Sequence, residues 1–214
     1  MIRNKTHHVL GNDGDDIVVF GLASSIHFLS KTSLIQGDGT FTCVVNRFTQ
    51  VYIFHALIAN DVSYPVLYCL MKGKNQSMYE HLLRLVEEIA GQWHTKIFNR
   101  PVRLMVDFEK AFHNAVSDYT AGENLSCCFF HFVSNIKKRA RPIIDALRKK
   151  TGKKSDEVKL AERIKRELMM LPLLPIELIS VDVVTLIISA WKRRYPHLCT
   201  VFDELAKYLI RSYV

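Results

Sequence analysis

The chain reads as an α/β protein: a mixed five-stranded sheet flanked by helices, followed by a segment made of helices alone. Three observations lead there. Three successive runs between Leu34 and Met71, joined by short connections, are rich in β-branched and aromatic residues. Helical periodicity then alternates with two further short apolar runs. After Phe132 only the helical period remains. The length of 214 residues, with 49% hydrophobic and 23% charged residues, is enough for a full core in one domain with an appendage.

Met1–Lys31 forms an N-terminal extension without a regular pattern; Ile17–Phe20 is a short apolar run of strand character. Asp13, Gly14 and Asp15 superficially resemble a calcium loop, but the glutamate that closes such a loop is missing. His7-His8 reads as part of a tail rather than a metal site. Leu34–Val45, Gln50–Ala59 and Tyr64–Met71 are the first three strands, rich in β-branched and aromatic residues. A turn at Asn60-Asp61 and the short connections predict an antiparallel meander. Ser77 with Glu80 reads as a capping box opening a helix over Met78–Trp93, whose apolar positions are Leu82, Leu85, Val86, Ile89 and Trp93. Pro101–Asp107 is the fourth strand, Glu109–Asp118 a short helix, and Leu125–Phe132 an aromatic fifth strand. A basic helix follows over Val133–Lys150, with Pro142 as a point of bending. Ser155 opens a helix to Met170, Leu171–Pro175 is a turn, and Ile176–Tyr195 and Leu198–Val214 are two more helices.

Composition narrows the partners. The net charge is +8, and the 13 basic and 5 acidic residues between Lys137 and Glu167 account for all of it. Such a concentration fits a polyanion partner, nucleic acid above all, and also fits a solvated helix face. Five cysteines, two of them adjacent (Cys127, Cys128), do not form a secreted disulfide framework and predict a reducing compartment. Charges and prolines interrupt every long apolar run, so no membrane span is expected.

The chemistry centres on two acids. Asp38 lies between Gly37 and Gly39 on the first strand, and an unpaired carboxylate is costly there unless a cation faces it. Gly-Asp-Gly is equally ordinary turn chemistry. Asp107 closes the fourth strand and also stands where it could cap the helix from Glu109. With helices after strands three and four, strands one and four can lie side by side and parallel. That arrangement brings Asp38 and Asp107 together, where they would repel unless a divalent cation such as Mg²⁺ joins them.

These residues fall into a known order. Asp38-Gly39-Thr40-Phe41, the Tyr64–Leu70 strand, Tyr79-Glu80, Asp107-Phe108-Glu109-Lys110-Ala111 and Cys128-Phe129-Phe130-His131-Phe132 together resemble the transposase domain of Mutator-like elements. That family is the MULE branch of the DDE-type, ribonuclease H-like enzymes. The resemblance covers roughly Ile35 to the C-terminus and implies a ribonuclease H-like sheet. It makes Asp38 and Asp107 the first two catalytic acids, both ligands of Mg²⁺ or Mn²⁺ in a two-metal site. Cys128 and His131 match the family's Cys-x-x-His signature, either shaping the edge of the active site or leaving His131 as a satisfied core histidine. No second pair at zinc spacing accompanies them.

The implied reaction is attack of water on a DNA phosphate, then attack of the freed 3′-hydroxyl for strand transfer. The third acid, a glutamate in an Asn-Asn-x-x-Glu context, does not follow the Phe202–Val214 helix; Glu204 is an alternative and Glu109 an outer-shell carboxylate. The expected organisation is therefore an extension (1–31), a catalytic core (32–150) and a helical insertion region (151–214) that stops short of the third acid. Lys137, Lys138, Arg139, Arg141, Arg148, Lys149 and Lys150 are the expected DNA-phosphate contacts, with Arg148–Lys154 doubling as a nuclear import signal. The implied partners are transposon ends and target DNA, with a homo-oligomer in the active state and a nuclear location. The competing expectation is a transposase-derived module that binds DNA or protein without cutting.

Overall fold

A computed structural model describes residues 8–14, 16–42, 44–58, 62–117 and 124–213. Asp15, the Asn60-Asp61 turn, His7 of the tail and Asp118 at the end of the short helix lie outside the described residues. The chain divides into two compact units, Met1–Cys128 and Phe129–Val214.

The first unit is built on one mixed sheet. Its elements are β1 (His8–Asp13), β2 (Ile17–Gly21), α1 (Ala23–Lys31), β3 (Leu34–Thr40), β4 (Gln50–Ile58), β5 (Val62–Met71), α2 (Gln76–Gln92), β6 (Arg103–Val106), α3 (Lys110–Ser117) and β7 (Leu125–Cys127). The strands are ordered β1-β2-β5-β4-β3-β6-β7. The predicted meander is present: β3 pairs antiparallel with β4, and β4 with β5. β6 pairs parallel with both β3 and β7.

The sheet has seven strands rather than five, because the N-terminal extension adds two. Ile17, Val19 and Gly21 alternate buried with half-buried Val18 and Phe20, and β2 pairs antiparallel with β5. That alternation is the ordinary signature of a strand with one covered face. β1 then pairs antiparallel with β2.

The fifth predicted strand is much shorter than Leu125–Phe132. Only Leu125, Ser126 and Cys127 pair with β6, which itself spans four residues and offers no longer ladder. Beyond it, Phe132, Ile136, Ala140 and Ile144 are buried at four-residue spacing, so the helical period overrides the β preference of the aromatic run. The α2 cap also moves. Asn75, not Ser77, is the N-cap, its Oδ1 accepting from Met78 N at 2.9 Å. Glu80 instead accepts from Gln76 Nε2 at 2.8 Å.

The core lies on one face of the sheet. Tyr52, Phe54 and Ala56 of β4 join Ile35, Leu67, Met71, Leu104 and Val106 from neighbouring strands. Tyr79, Leu82, Leu83, Val86 and Ile89 of α2 and Phe112 and Val116 of α3 cover them. The connection into β6 is tied down by Glu87, whose Oε1 accepts from the backbone N–H groups of Ile97, Phe98 and Asn99. Arg100 donates to the Leu29 and Thr32 carbonyls at 2.6 Å each.

The second unit is helical: α4 (Phe129–Thr151), α5 (Asp156–Met169), α6 (Val181–Arg194) and α7 (Cys199–Tyr213), with short 3-10 turns at Leu171–Leu173, Ile176–Leu178 and Pro196–Leu198. α4 runs through Pro142 as one element. Ser155 caps α5 as predicted, accepting from Val158 N. The helix expected from Ile176 begins only at Val181, because Ser180 accepts from Val183 N and sets a new start. Among the described residues, no helix is long and apolar enough to cross a membrane.

Candidate functional site

Asp38 is placed by strand pairing. β3 and β6 run parallel in the register Leu34–Arg103, Ile35–Leu104 and Gln36–Met105. Continuing that register by two residues along each strand sets Asp107 beside Asp38. Alternation puts both on the face opposite the covered one, because Ile35, Gly37, Leu104 and Val106 are buried. On that outer face Gln36 Nε2 reaches Met105 Sδ at 3.7 Å, a cross-strand contact in the same file. Asp38 is exposed and Asp107 half-buried. The parallel pairing expected from the order of helices and strands is therefore present in β3 and β6, and it ends at Gln36–Met105, two residues short of each acid.

The glycines around Asp38 serve close packing on the covered face rather than a turn. A Cβ on Gly37 would lie 2.4 Å from Tyr52 Oη, and one on Gly39 would lie 2.8 Å from Gln50 Oε1. Two side chains of β4 thus lie directly over the β3 backbone that carries the acid. Tyr52 is stacked on Phe112, with ring centroids 5.1 Å apart, and makes edge contacts with Phe54 and Tyr79.

Asp107 orders the start of α3. Its Oδ1 accepts from Glu109 N at 2.9 Å, a turn that leads into the helix rather than the cap weighed from the sequence, since α3 starts only at Lys110 and Glu109 O accepts its first bond from His113 N. Its backbone carbonyl lies 2.7 Å from His113 Nε2. Glu109 is held in turn: Tyr79 Oη donates to Glu109 Oε2 at 2.8 Å, and the fully buried Gln50 donates from Nε2 to Tyr79 Oη at 3.0 Å. A polar relay therefore runs from the interior of β4 through α2 to the loop that carries Asp107.

Electrostatics places the three carboxylates in one neighbourhood. The Tyr52 phenol is pushed well up by burial first, then by Tyr79, Asp107, Asp38 and Glu109. Burial likewise raises Tyr79, with Glu109 and Asp107 adding to the rise and the Gln50 hydrogen bond opposing it. Both phenols are therefore neutral at ordinary pH. Burial lowers the His55 imidazole, and Asp38 opposes that shift. Burial raises the Cys127 thiol, helped by Asp107 and Cys128. Cys127 Sγ lies 3.8 Å from His113 Nε2.

The remaining predicted residues fall as follows. Cys128 follows β7, donating from its backbone N–H to the Val106 carbonyl at 2.7 Å. His131 lies in the first turn of α4, in the helical unit and not on a strand. Lys137, Lys138, Arg139 and Arg141 are exposed on α4, with Arg139 over the Tyr208 ring at 5.5 Å and Arg141 3.8 Å from Asp145. Arg148 is tied to both Asp145 and Glu162 at 2.7 Å, whereas Lys149 and Lys150 are exposed. Glu204 is on α7.

Gln50, Tyr52, His113 and Cys127 were not singled out as site residues by sequence reasoning. Gln50 offers no alternation in sequence that would mark it, since the run after it is almost continuously apolar; only the burial pattern of β4 places it on the covered face.

The donor set suits a hard divalent cation in part. Two carboxylates side by side, one open to water, match an ion that keeps several waters and takes one or two carboxylates. Among the described residues, no group of three or more His, Cys, Asp or Glu side chains is placed to hold a metal ion. A family model described as the MULE transposase domain matches residues 34–135. No curated protein matches the chain.

Proposed function

With residues 34–135 matching the model of the MULE transposase domain, a family of Mutator-like transposases, we propose that this protein cleaves DNA and transfers the cut strand. Asp38 and Asp107 are the acids of that reaction, on the parallel β3–β6 pair of a ribonuclease H-like sheet. The observation that supports this reading is the parallel β3–β6 register, which pairs Gln36 with Met105 and, continued by two residues, would bring Asp38 beside Asp107, 69 residues away in sequence.

Mg²⁺ or Mn²⁺ held by Asp38 and Asp107 would neutralise phosphate charge and make a bound water more acidic. The chain's own residues supply the positioning. Asp38, exposed on a strand pinned from behind by Tyr52 and Gln50, presents its oxygens from a rigid backbone. Glu109 N fixes Asp107 Oδ1, and Tyr79 fixes Glu109, so the orientation of Asp107 is set by the core. A two-metal arrangement calls for a third carboxylate, and Glu109, two residues after Asp107, stands in an outer position. Exposed Lys137, Lys138, Arg139, Arg141, Lys149 and Lys150 hold DNA phosphates, a sequence-independent and salt-sensitive contact. Arg148, spent on two carboxylates, contributes least. Transposon ends and target DNA are the partners in this reading, the active form is a homo-oligomer, and the place of action is the nucleus.

The test is nicking of supercoiled DNA with and without Mg²⁺ or Mn²⁺. The wild type nicks only with metal, and Asp38→Asn and Asp107→Asn each abolish it. Nicking retained by both variants overturns the assignment. A second reading, a domain that binds DNA without cutting, is favoured by the use of Asp107 Oδ1 to hold the backbone N–H of Glu109. In that case metal-dependent nicking is absent from the wild type, and Asp107→Asn leaves DNA affinity unchanged.

A further inference from the structure

We propose that His113 is a positioning residue for Asp107: its imidazole clamps the Asp107 main chain, so that the carboxylate meets a cation in one orientation. The proposal rests on the reading of Asp107 as a metal ligand. His113 lies in the first turn of α3 and is half-buried. Its Nε2 is 2.7 Å from the Asp107 carbonyl oxygen, six residues back. A carbonyl oxygen only accepts, so Nε2 carries the proton and donates. The contact is no part of the helical ladder, because the His113 backbone N–H already donates to the Glu109 carbonyl at 3.1 Å. His113 therefore fastens the loop twice, to Glu109 through its main chain and to Asp107 through its ring.

The need for a clamp follows from where the sheet stops. Pairing of β6 with β3 ends at Met105, and pairing with β7 ends at Val106, opposite Cys127. The Val106 carbonyl still accepts from Cys128 N at 2.7 Å. The next carbonyl along the chain is that of Asp107, and the imidazole takes it. Cys127 Sγ lies 3.8 Å from the same nitrogen, so the ring sits between the ends of β6 and β7. The bond from Glu109 N to Asp107 Oδ1 ties the carboxylate only to its own loop. A carboxylate points where its backbone directs it, so a fixed Asp107 peptide is the condition for a fixed pair of oxygens.

The test uses the full chain and Mn²⁺ alone, with free Mn²⁺ read by its electron paramagnetic resonance signal, so that binding is read apart from cleavage. His113→Met and His113→Gln have side chains of similar length, and only glutamine keeps an N–H donor. His113→Met weakens Mn²⁺ binding by about 10-fold and raises the Mn²⁺ concentration for half-maximal nicking to match, whereas His113→Gln binds like the wild type. Asp107→Asn weakens binding as well, and adding His113→Met to it changes nothing further, because the clamp acts through Asp107. Each variant is measured at the same interval below its own unfolding midpoint. Mn²⁺ binding unchanged in His113→Met, with Asp107→Asn impaired, overturns the positioning role and leaves the catalytic reading standing. An equal loss in His113→Met and His113→Gln also overturns it, since packing and not the donor then matters. Binding indifferent to Asp107→Asn overturns the catalytic reading, and the positioning role with it.

Discussion

Gly37→Ala tests whether the acid-bearing strand is pinned from behind. The new Cβ meets Tyr52 Oη at 2.4 Å and the ring atoms Cε1 and Cζ at 3.0 Å. Carbon atoms are comfortable at about 3.5–4.0 Å, so the phenol has to move by about 1 Å. Tyr52 has little room for that: it is 3% exposed and packed against Phe112, Tyr79 and Phe54. Overpacking of this kind costs about 1–3 kcal/mol. Gly37 is not among the residues with positive φ, so alanine also restricts the unfolded chain and returns about 0.4–1 kcal/mol. The expected net loss is about 1–2 kcal/mol, read from urea unfolding as a lower midpoint at unchanged slope. The double variant Gly37→Ala/Tyr52→Phe removes the 2.4 Å contact but keeps the two at 3.0 Å. It should therefore regain part of the loss, with a coupling energy of at least about 0.5 kcal/mol. A Gly37→Ala protein within about 0.5 kcal/mol of wild type, or a cycle with no coupling, would refute the close-packing argument.

Further outcomes are expected elsewhere in the same unit. Tyr79→Phe deprives the buried Gln50 amide and the Glu109 carboxylate of a shared partner; stability falls by about 1–3 kcal/mol and metal-dependent nicking by about 10–100-fold. Full activity at full stability would remove the relay from the site. Asn75→Ala costs about 1 kcal/mol because it deletes the α2 cap, whereas Ser77→Ala stays within about 0.5 kcal/mol; the reverse ranking in thermal unfolding would restore the capping box at Ser77. His55 has a folded-state pKa below its unfolded value, mainly through burial. Its contribution is present above the unfolded pKa of about 6.5 and is lost as pH falls from there through the folded pKa. Wild type minus His55→Gln stability, measured in metal-free buffer, should decline across that window, and a difference that grows with acidification contradicts the assignment.

Much of the local structure was legible in the sequence because the patterns that carry it span only a few residues. β-Branched and aromatic content within Gln50–Ile58 and Val62–Met71 gives strands, helical spacing from Leu82 to Ile89 gives α2, and Ser155 gives the start of α5. Local reading failed where two patterns overlapped. Asn75 and Ser77 both offer cap chemistry, and only the geometry of the chain entering α2 selects Asn75. Phe129–Phe132 favours strand by composition, but the four-residue β6 leaves it no partner, and Phe132 is buried in register with Ile136 as helix. β2 looked like an isolated apolar run until β5 supplied an edge for it to pair with.

The two acids divide along the same line. The sequence by itself set Asp38 between two glycines, with strand and turn both open, and Asp107 at the close of a short apolar run, because residue type fixes that much within a few positions. Only the tertiary structure decided that the strand carrying Asp38 and the strand leading into Asp107 lie side by side, since nothing local links positions 69 residues apart; the parallel β3–β6 register does so. It also decided what the glycines are for. They leave room for Tyr52 and Gln50, which reach the β3 backbone from the neighbouring strand, and strand pairing fixes that proximity where sequence pattern does not.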